Sequence, residues 1–202
     1  MKHATATILG LLLSSGAWAQ AADCVTIQSS ATIDAPYDIV WDTIVDFESY
    51  PSWNPYIVGT FPADPDVTVV GTQFTLVVFQ PISQDTTFAP EIVTAVDPPD
   101  GDDALLAYAF DDPFAAAIGF PERVQAVERV RPFTSSYETE ETFCGPLLPF
   151  LPLDDVQAGF DAQTAALAAE AQRRFQQSGP PCTNNGNGNG NGPGNNNGIC
   201  NR

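Results

Sequence analysis

The residue best placed to do chemistry in this chain is Glu141, in the segment Ser136-Tyr137-Glu138-Thr139-Glu140-Glu141-Thr142-Phe143. The segment alternates as a strand does, so Tyr137, Thr139, Glu141 and Phe143 share one face while Ser136, Glu138, Glu140 and Thr142 share a wet one. A carboxylate on an aromatic face should seek a partner. Arg123 opens the preceding strand, and a hairpin around Arg131-Pro132-Phe133-Thr134-Ser135 brings it near Glu141. That register predicts a buried Arg–Glu pair. Such a pair either fixes strand register or orients a ligand in an otherwise apolar cavity, and satisfied internal pairs are more often structural. Carboxylate and tyrosine can also act together as acid and base, which would set Glu141 to work with Tyr108 or Tyr137.

Much other chemistry is excluded by what is missing. Lys2 and His3 are the only lysine and histidine, and both fall in a segment that reads as a secretory signal over residues 1–19. A short positive start, an apolar run from Ile8 to Leu13 and Ala17-Trp18-Ala19 give it that form, and the run is too short to span a bilayer. A chain beginning at Gln20 then has six arginines against 25 carboxylates, a formal charge of −19. Nucleic acid and anionic membranes are repelled by such a surface, so neither binding partner nor membrane insertion is expected. Without histidine there is no Ser-His-Asp or Cys-His arrangement, and without lysine no Schiff base. No Gly-x-Gly-x-x-Gly or phosphate-binding loop occurs, so no cofactor is expected. Cys24, Cys144, Cys182 and Cys200 offer no C-x-x-C pair for zinc, so no metal is expected; in an exported chain they favour disulfides.

The elements that must position Glu141 and Arg123 are legible as alternating runs. Residues 25–33 read as a first strand, and Asp34 with Pro36 as the cap and first turn of a helix carrying Val40, Trp41, Ile44, Val45 and Phe47. Pro51 and Pro55 are expected to end it, leaving an aromatic knot at Tyr50, Trp53 and Tyr56. Further strands are expected over residues 67–79 (with Gly71 a bulge), 87–96, 104–110, 123–130 and 136–143. Residues 111–121 form a proline-bracketed apolar loop, read either as a flap over a cavity or, as is commoner, as a packed surface loop, and residues 145–152 form a stiff connector. A helix over residues 153–177 carries Val156, Phe160, Leu167, Ala171 and Phe175 as its stripe, and Gly179 stops it. Residues 20–178 make one domain; from 179 to 202 the chain is an Asn/Gly-rich tail too polar to order.

Ala35-Pro36, Val40-Trp41, Asp46-Phe47, Tyr50-Pro51 and Trp53-Asn54-Pro55, in this order after a strand, resemble the START-like polyketide cyclase/dehydrase superfamily. Glu141, Phe143 and Gly145 match its Glu-x-Phe-x-Gly pattern, while Glu122-Arg123 stands where relatives often have Glu-His. The resemblance implies an α+β helix-grip fold: a curved seven-stranded antiparallel sheet around a long C-terminal helix, with two short helices after the first strand. In that fold the first strand's start lies beside the last strand's end, which implies a Cys24–Cys144 disulfide and leaves Cys182–Cys200 for the tail. It also implies an apolar cavity between sheet and helix. Candidate lining residues are Trp53, Phe74, Leu76 and Phe88 from the first half, and Leu106, Tyr108 and Phe110 from the middle. Arg123, Tyr137, Glu141, Phe143 and Phe160 complete the set. The expected function is a secreted, extracellular carrier of a small hydrophobic molecule (lipid, sterol, quinone or polyketide). The alternatives are a cyclase or dehydratase using Glu141 with Tyr108 or Tyr137, and an interaction protein with a filled core. Two acids converging on a cavity would favour the enzyme, one polar pair in a large dry cavity the carrier.

Overall fold

The computed structural model describes residues 23–179. The expected signal segment, the Asn/Gly tail and the Cys182–Cys200 pairing lie outside them. Seven antiparallel strands form one curled sheet in the order β1-β7-β6-β5-β4-β3-β2. They are β1 (Cys24–Ile33), β2 (Ile57–Phe61), β3 (Gln73–Phe79), β4 (Thr86–Asp97), β5 (Asp103–Phe110), β6 (Glu122–Arg131) and β7 (Thr134–Cys144). Two short helices, α1 (Tyr37–Val45) and α2 (Tyr50–Trp53), follow β1, and α3 (Leu153–Ser178) closes the domain. This is the helix-grip arrangement, because α3 lies in the concavity of the sheet against β1 and α1.

Each layer follows from sequence pattern. On β3, Phe74, Leu76 and Val78 are buried at every second position, and on β7 Ser135, Tyr137 and Thr139 are. On β6 the inner face belongs to Arg123, Gln125 and Val127, which decides the competition between that set and Val124, Ala126 and Val130. Helix α3 is rich in alanine, the best helix former, and buries Phe160, Leu167 and Ala171. Burying a side chain of the Leu or Phe class contributes roughly 1.5–3 kcal/mol before entropy is counted. Phe47, Phe74 and Tyr108 pack edge to face at the centre, with centroids 5.5–6.2 Å apart.

Cys24 and Cys144 are joined by a disulfide across 120 residues of chain, at the first pair of the β1–β7 ladder. At the other end of the domain Arg174 of α3 donates to Asp46 and to Ser49, both at 2.8 Å, and to Glu170 at 2.8 Å. Asp155, buried in the first turn of α3, accepts the backbone N–H groups of Ile82 and Ser83 at 2.6 and 3.1 Å. The start of α3 is thereby clasped to the β3–β4 turn.

Several local expectations are corrected. Asp34 does not cap α1; Pro36 holds the N-cap position and no side chain bonds there. The helix stops at Val45, and Pro51 opens α2 instead of ending α1, which suits a residue lacking an N–H. Residues 67–72 are turns, not the first half of a strand: Gly71 has φ +91°, and Val69 and Val70 are exposed. The strand that the pattern missed is β2, five residues containing Gly59.

Candidate functional site

The register of the sheet sets the centre of the site. Tyr108 on β5 stands opposite Arg123 on β6, and Arg123 opposite Glu141 on β7, so the three side chains form one row across the inner face. Two residue pairs further along, and so on the same face, Glu91 on β4 stands opposite Phe110 on β5. These groups line a cavity of about 280 Å³ between the sheet and α3. Tyr56, Leu76, Val78 and Phe143 add apolar wall from the sheet side; Val156 and Phe160 add it from the helix. Phe114, Ile118 and Pro121 of the 111–121 flap, together with Leu151 and Pro152 of the connector, close one end. Phe88 and Phe114 line the cavity while remaining largely exposed, so they mark its mouth; Tyr108 and Arg123 are buried and mark its floor.

The flap and the wall have local causes. Gly119 turns the flap in the left-handed region, φ +83°, and a Cβ there would press on Cys144. The flap therefore sits directly on the disulfide. Gly159 lets the ring of Tyr56 pack flush against α3, because a Cβ at this position would overlap one edge of that ring, 2.1 Å from two of its carbons. A glycine at the seventh position of a 26-residue helix is explained by this approach.

Arg123 departs from the expected pairing. It faces Glu141 in register, yet no ion pair joins them among the described residues. Its Nε donates to Thr139 Oγ1 at 3.1 Å, and its guanidinium carbon lies 3.9 Å from the Phe160 ring centroid and 6.0 Å from that of Tyr56. The guanidinium lies against the Phe160 ring, with Tyr56 at the outer limit of cation–π range, instead of pairing with the carboxylate. Nη2 of Arg123 and Oη of Tyr108 are both buried without a hydrogen-bond partner.

The acids respond to this environment. Burial pushes Glu141 up to about 7, against the attraction of Arg123. Its carboxyl is enclosed by protein yet partly accessible through the cavity, so it titrates as a sheltered group open to a ligand. Glu91 is held well above the usual carboxylate range by burial first and by Glu141 next, and Arg123 only partly opposes this. Burial also raises the phenols of Tyr108 and Tyr56, which stay protonated. The site therefore offers one permanent cation, one acid held well above the usual carboxylate range, one acid raised to about 7 and two phenolic donors.

Of the residues singled out from sequence, Leu76, Phe88, Tyr108, Phe110, Arg123, Glu141, Phe143 and Phe160 come together around this cavity. Trp53, Phe74, Leu106 and Tyr137 do not. Trp53 packs on Tyr50 with centroids 4.8 Å apart and donates to Ser49, while Phe74 belongs to the central aromatic cluster. Leu106 is wholly buried core. Tyr137 donates to Gln125 at 2.9 Å in the interior. Glu91 was not anticipated, although Glu91 and Val93 share a face by simple alternation on β4.

The family described as polyketide cyclase / dehydrase and lipid transport matches residues 25–172. No curated protein is similar enough in sequence to count as a relative. Among solved structures, the Zhui aromatase/cyclase from a Streptomyces species is similar at TM-score 0.58 and 16% identity, over 78% of this chain and 99% of that one. Norcoclaurine synthase from Thalictrum flavum is similar at 0.54 and 10%, over 77% and 98%. A START superfamily protein from Mycobacterium smegmatis is similar at 0.50 and 17%, over 76% and 98%. At identities this low, these structural likenesses show a shared fold and no more.

Proposed function

Because the chain belongs to the polyketide cyclase / dehydrase and lipid transport family, we propose that it is an exported protein that binds a small, mainly apolar molecule in the cavity between sheet and α3. The observation carrying this reading is the cavity itself, walled mainly by apolar side chains, with a few polar groups among them. A lipid, sterol, quinone or polyketide fragment suits such walls. The Cys24–Cys144 disulfide supports an oxidising destination. No helix among the described residues is long and apolar enough to cross a membrane. A ligand losing about 300 Å² of apolar surface gains roughly 7 kcal/mol before ordering costs, so micromolar or weaker binding is the expected range. Native mass spectrometry of protein purified from its own source tests the reading directly. A co-purifying apolar molecule, displaced by a hydrophobic fluorophore, supports it; an empty protein that binds no such probe refutes it.

A second reading, acid–base turnover of the bound molecule, is favoured by one specific observation: Glu91 and Glu141 open on the same cavity with different titration behaviour. In a β-hydroxy ketone, ionised Glu141 would take the proton beside the carbonyl. The electron pair would form the new double bond, and protonated Glu91 would deliver its proton to the departing hydroxyl, releasing water. Tyr108 is available at the cavity to steady the carbonyl oxygen, whereas Tyr137 is committed to Gln125. Recovery of chemically altered ligand, lost in folded Glu141→Gln, would select this reading over simple carriage.

A further inference from the structure

We infer that the cavity selects an apolar molecule ending in one anionic oxygen group, a carboxylate or an enolate, held floor-inward on Arg123 and Tyr108 with its apolar body toward Phe88 and Phe114. The inference rests on the cavity being a binding site. Its own basis is the pair of unused donors. Arg123 is 4% exposed and Tyr108 1%, and each presents a polar atom that nothing in the protein accepts. Phe88 and Phe114 at the mouth are 64% and 44% exposed. Gln80 and Thr87, the latter next to Phe88 in the chain, also line the cavity, and Gln80 Oε1 is buried without a partner; the free donors thus lie on Arg123 and Tyr108 and the free acceptor on Gln80, so an anionic head suits the Arg123 end.

The sign of charge follows from the neighbours. Arg123 is always protonated, and the carboxylate opposite it forms no ion pair with it. The groups around Glu141 are Glu91 on β4, Tyr108 on β5, Arg123 on β6 and Tyr56 before β2, with Ile27 of β1 its register partner and Phe160 contributed by α3. Asp111, in the flap, acts on Glu91. Below neutral pH Glu141 carries its proton while Glu91 is held well above the usual carboxylate range, so the guanidinium, which has no ion-pair partner, lies in an apolar site with little compensating charge. An anionic oxygen is its natural complement, and the guanidinium fork matches a carboxylate. The outer surface has the opposite sign, so the anion is slowed on approach and favoured once inside.

A regulatory consequence is built in. Ionisation of Glu141 places a second negative charge beside the ligand, so an anion is bound together with a proton. Carboxylate affinity should fall as pH rises through the Glu141 titration, by up to about tenfold per pH unit above roughly pH 7. A neutral ligand should show no such slope.

The test uses the full chain and two probes of equal tail length, decanoate and decanol, titrated calorimetrically between about pH 7 and about pH 9. Decanoate should bind more tightly than decanol at neutral pH and lose affinity with rising pH, while decanol stays level. Glu141→Gln should keep tight decanoate binding and abolish the slope. Tyr108→Phe, which preserves the ring, should weaken decanoate several-fold and leave decanol unchanged; Arg123→Gln should bring decanoate to the level of decanol. Circular dichroism checks each variant, and Glu141→Gln with Tyr108→Phe suffices if Arg123→Gln does not fold. Equal affinity for the two probes at every pH, or equal losses for both in Tyr108→Phe, overturns the anion inference while leaving the binding cavity standing. Absence of saturable binding by either probe overturns both.

Discussion

Removing the Cys24–Cys144 disulfide should destabilise the domain through its unfolded state far more than through its folded one. The native ladder runs unbroken from Cys24 opposite Cys144 to Ile33 opposite Ser135, and Gly145 N–H continues it to the Asp23 carbonyl at 3.3 Å. Serine at both positions keeps every backbone bond and keeps the Cβ against which Gly119 packs, so β1 and the flap should stay in place. The unfolded chain, by contrast, loses a link across 120 residues. Chain entropy for a loop of that length amounts to about 5 kcal/mol at 25 °C. Domains of this size typically have about 5–15 kcal/mol in total, so the change would be a third or more of the whole. In urea, with m of about 2–3 kcal/mol/M, the midpoint should drop by roughly 2 M. The slope m should also rise, because the freed chain exposes more surface when unfolded. A loss below about 1 kcal/mol with unchanged m would refute the entropic account.

Three further outcomes follow from side chains in the cavity, beside it and at the far end of α3. Glu141 is raised from an ordinary 4.5 to about 7, so stability is fully present below the unfolded value and is lost as pH climbs toward the folded one. Its share is about 3 kcal/mol at most, complete above about pH 7; Glu91 acts in the same direction. Glu141→Gln should flatten this decline in urea titrations, whereas exposed Glu140→Gln should not, and identical curves would show the strand faces to be misassigned. Gly159→Ala should cost about 1–3 kcal/mol despite better helix propensity, because Tyr56 must swing into the cavity; a raised melting temperature would contradict the close packing. Arg174→Met should cost about 1–3 kcal/mol by unfastening α3 from Asp46 and Ser49 and by leaving buried Glu170 to Arg173 alone, and chemical denaturation showing no change would mean the contact is idle.

The long repeating patterns were readable from sequence because burial is what imposes them. Strand β7 and helix α3 emerge within a residue or two of their expected ends, and the Arg123–Glu141 register follows from one hairpin. Side-chain direction within that register was not readable. Whether Arg123 meets Glu141 depends on the rings of Phe160 and Tyr56, which arrive from distant segments. The same holds for Gly159, whose reason lies more than 100 residues away at Tyr56. Short elements failed for a different cause: β2 offers five residues with a glycine among them, too few for alternation to stand out. Glu91 shows the cost of treating acids as surface by default. Its partner in electrostatics, Glu141, sits on a strand that is not its neighbour in the sheet.

The disulfide also partitions the domain mechanically. Every strand lies between Cys24 and Cys144, whereas α3 lies wholly beyond Cys144. Tension applied between residues 23 and 179 would pass through the covalent link and bypass the sheet, so its whole load would fall on α3, on the Asp155 clasp at one end and the Arg174 latch at the other. The helix would peel away while the strands stayed shielded, giving a contour-length gain set by the residues after Cys144 alone. Under load, then, the protein would lose one wall of its cavity before any strand felt the pull.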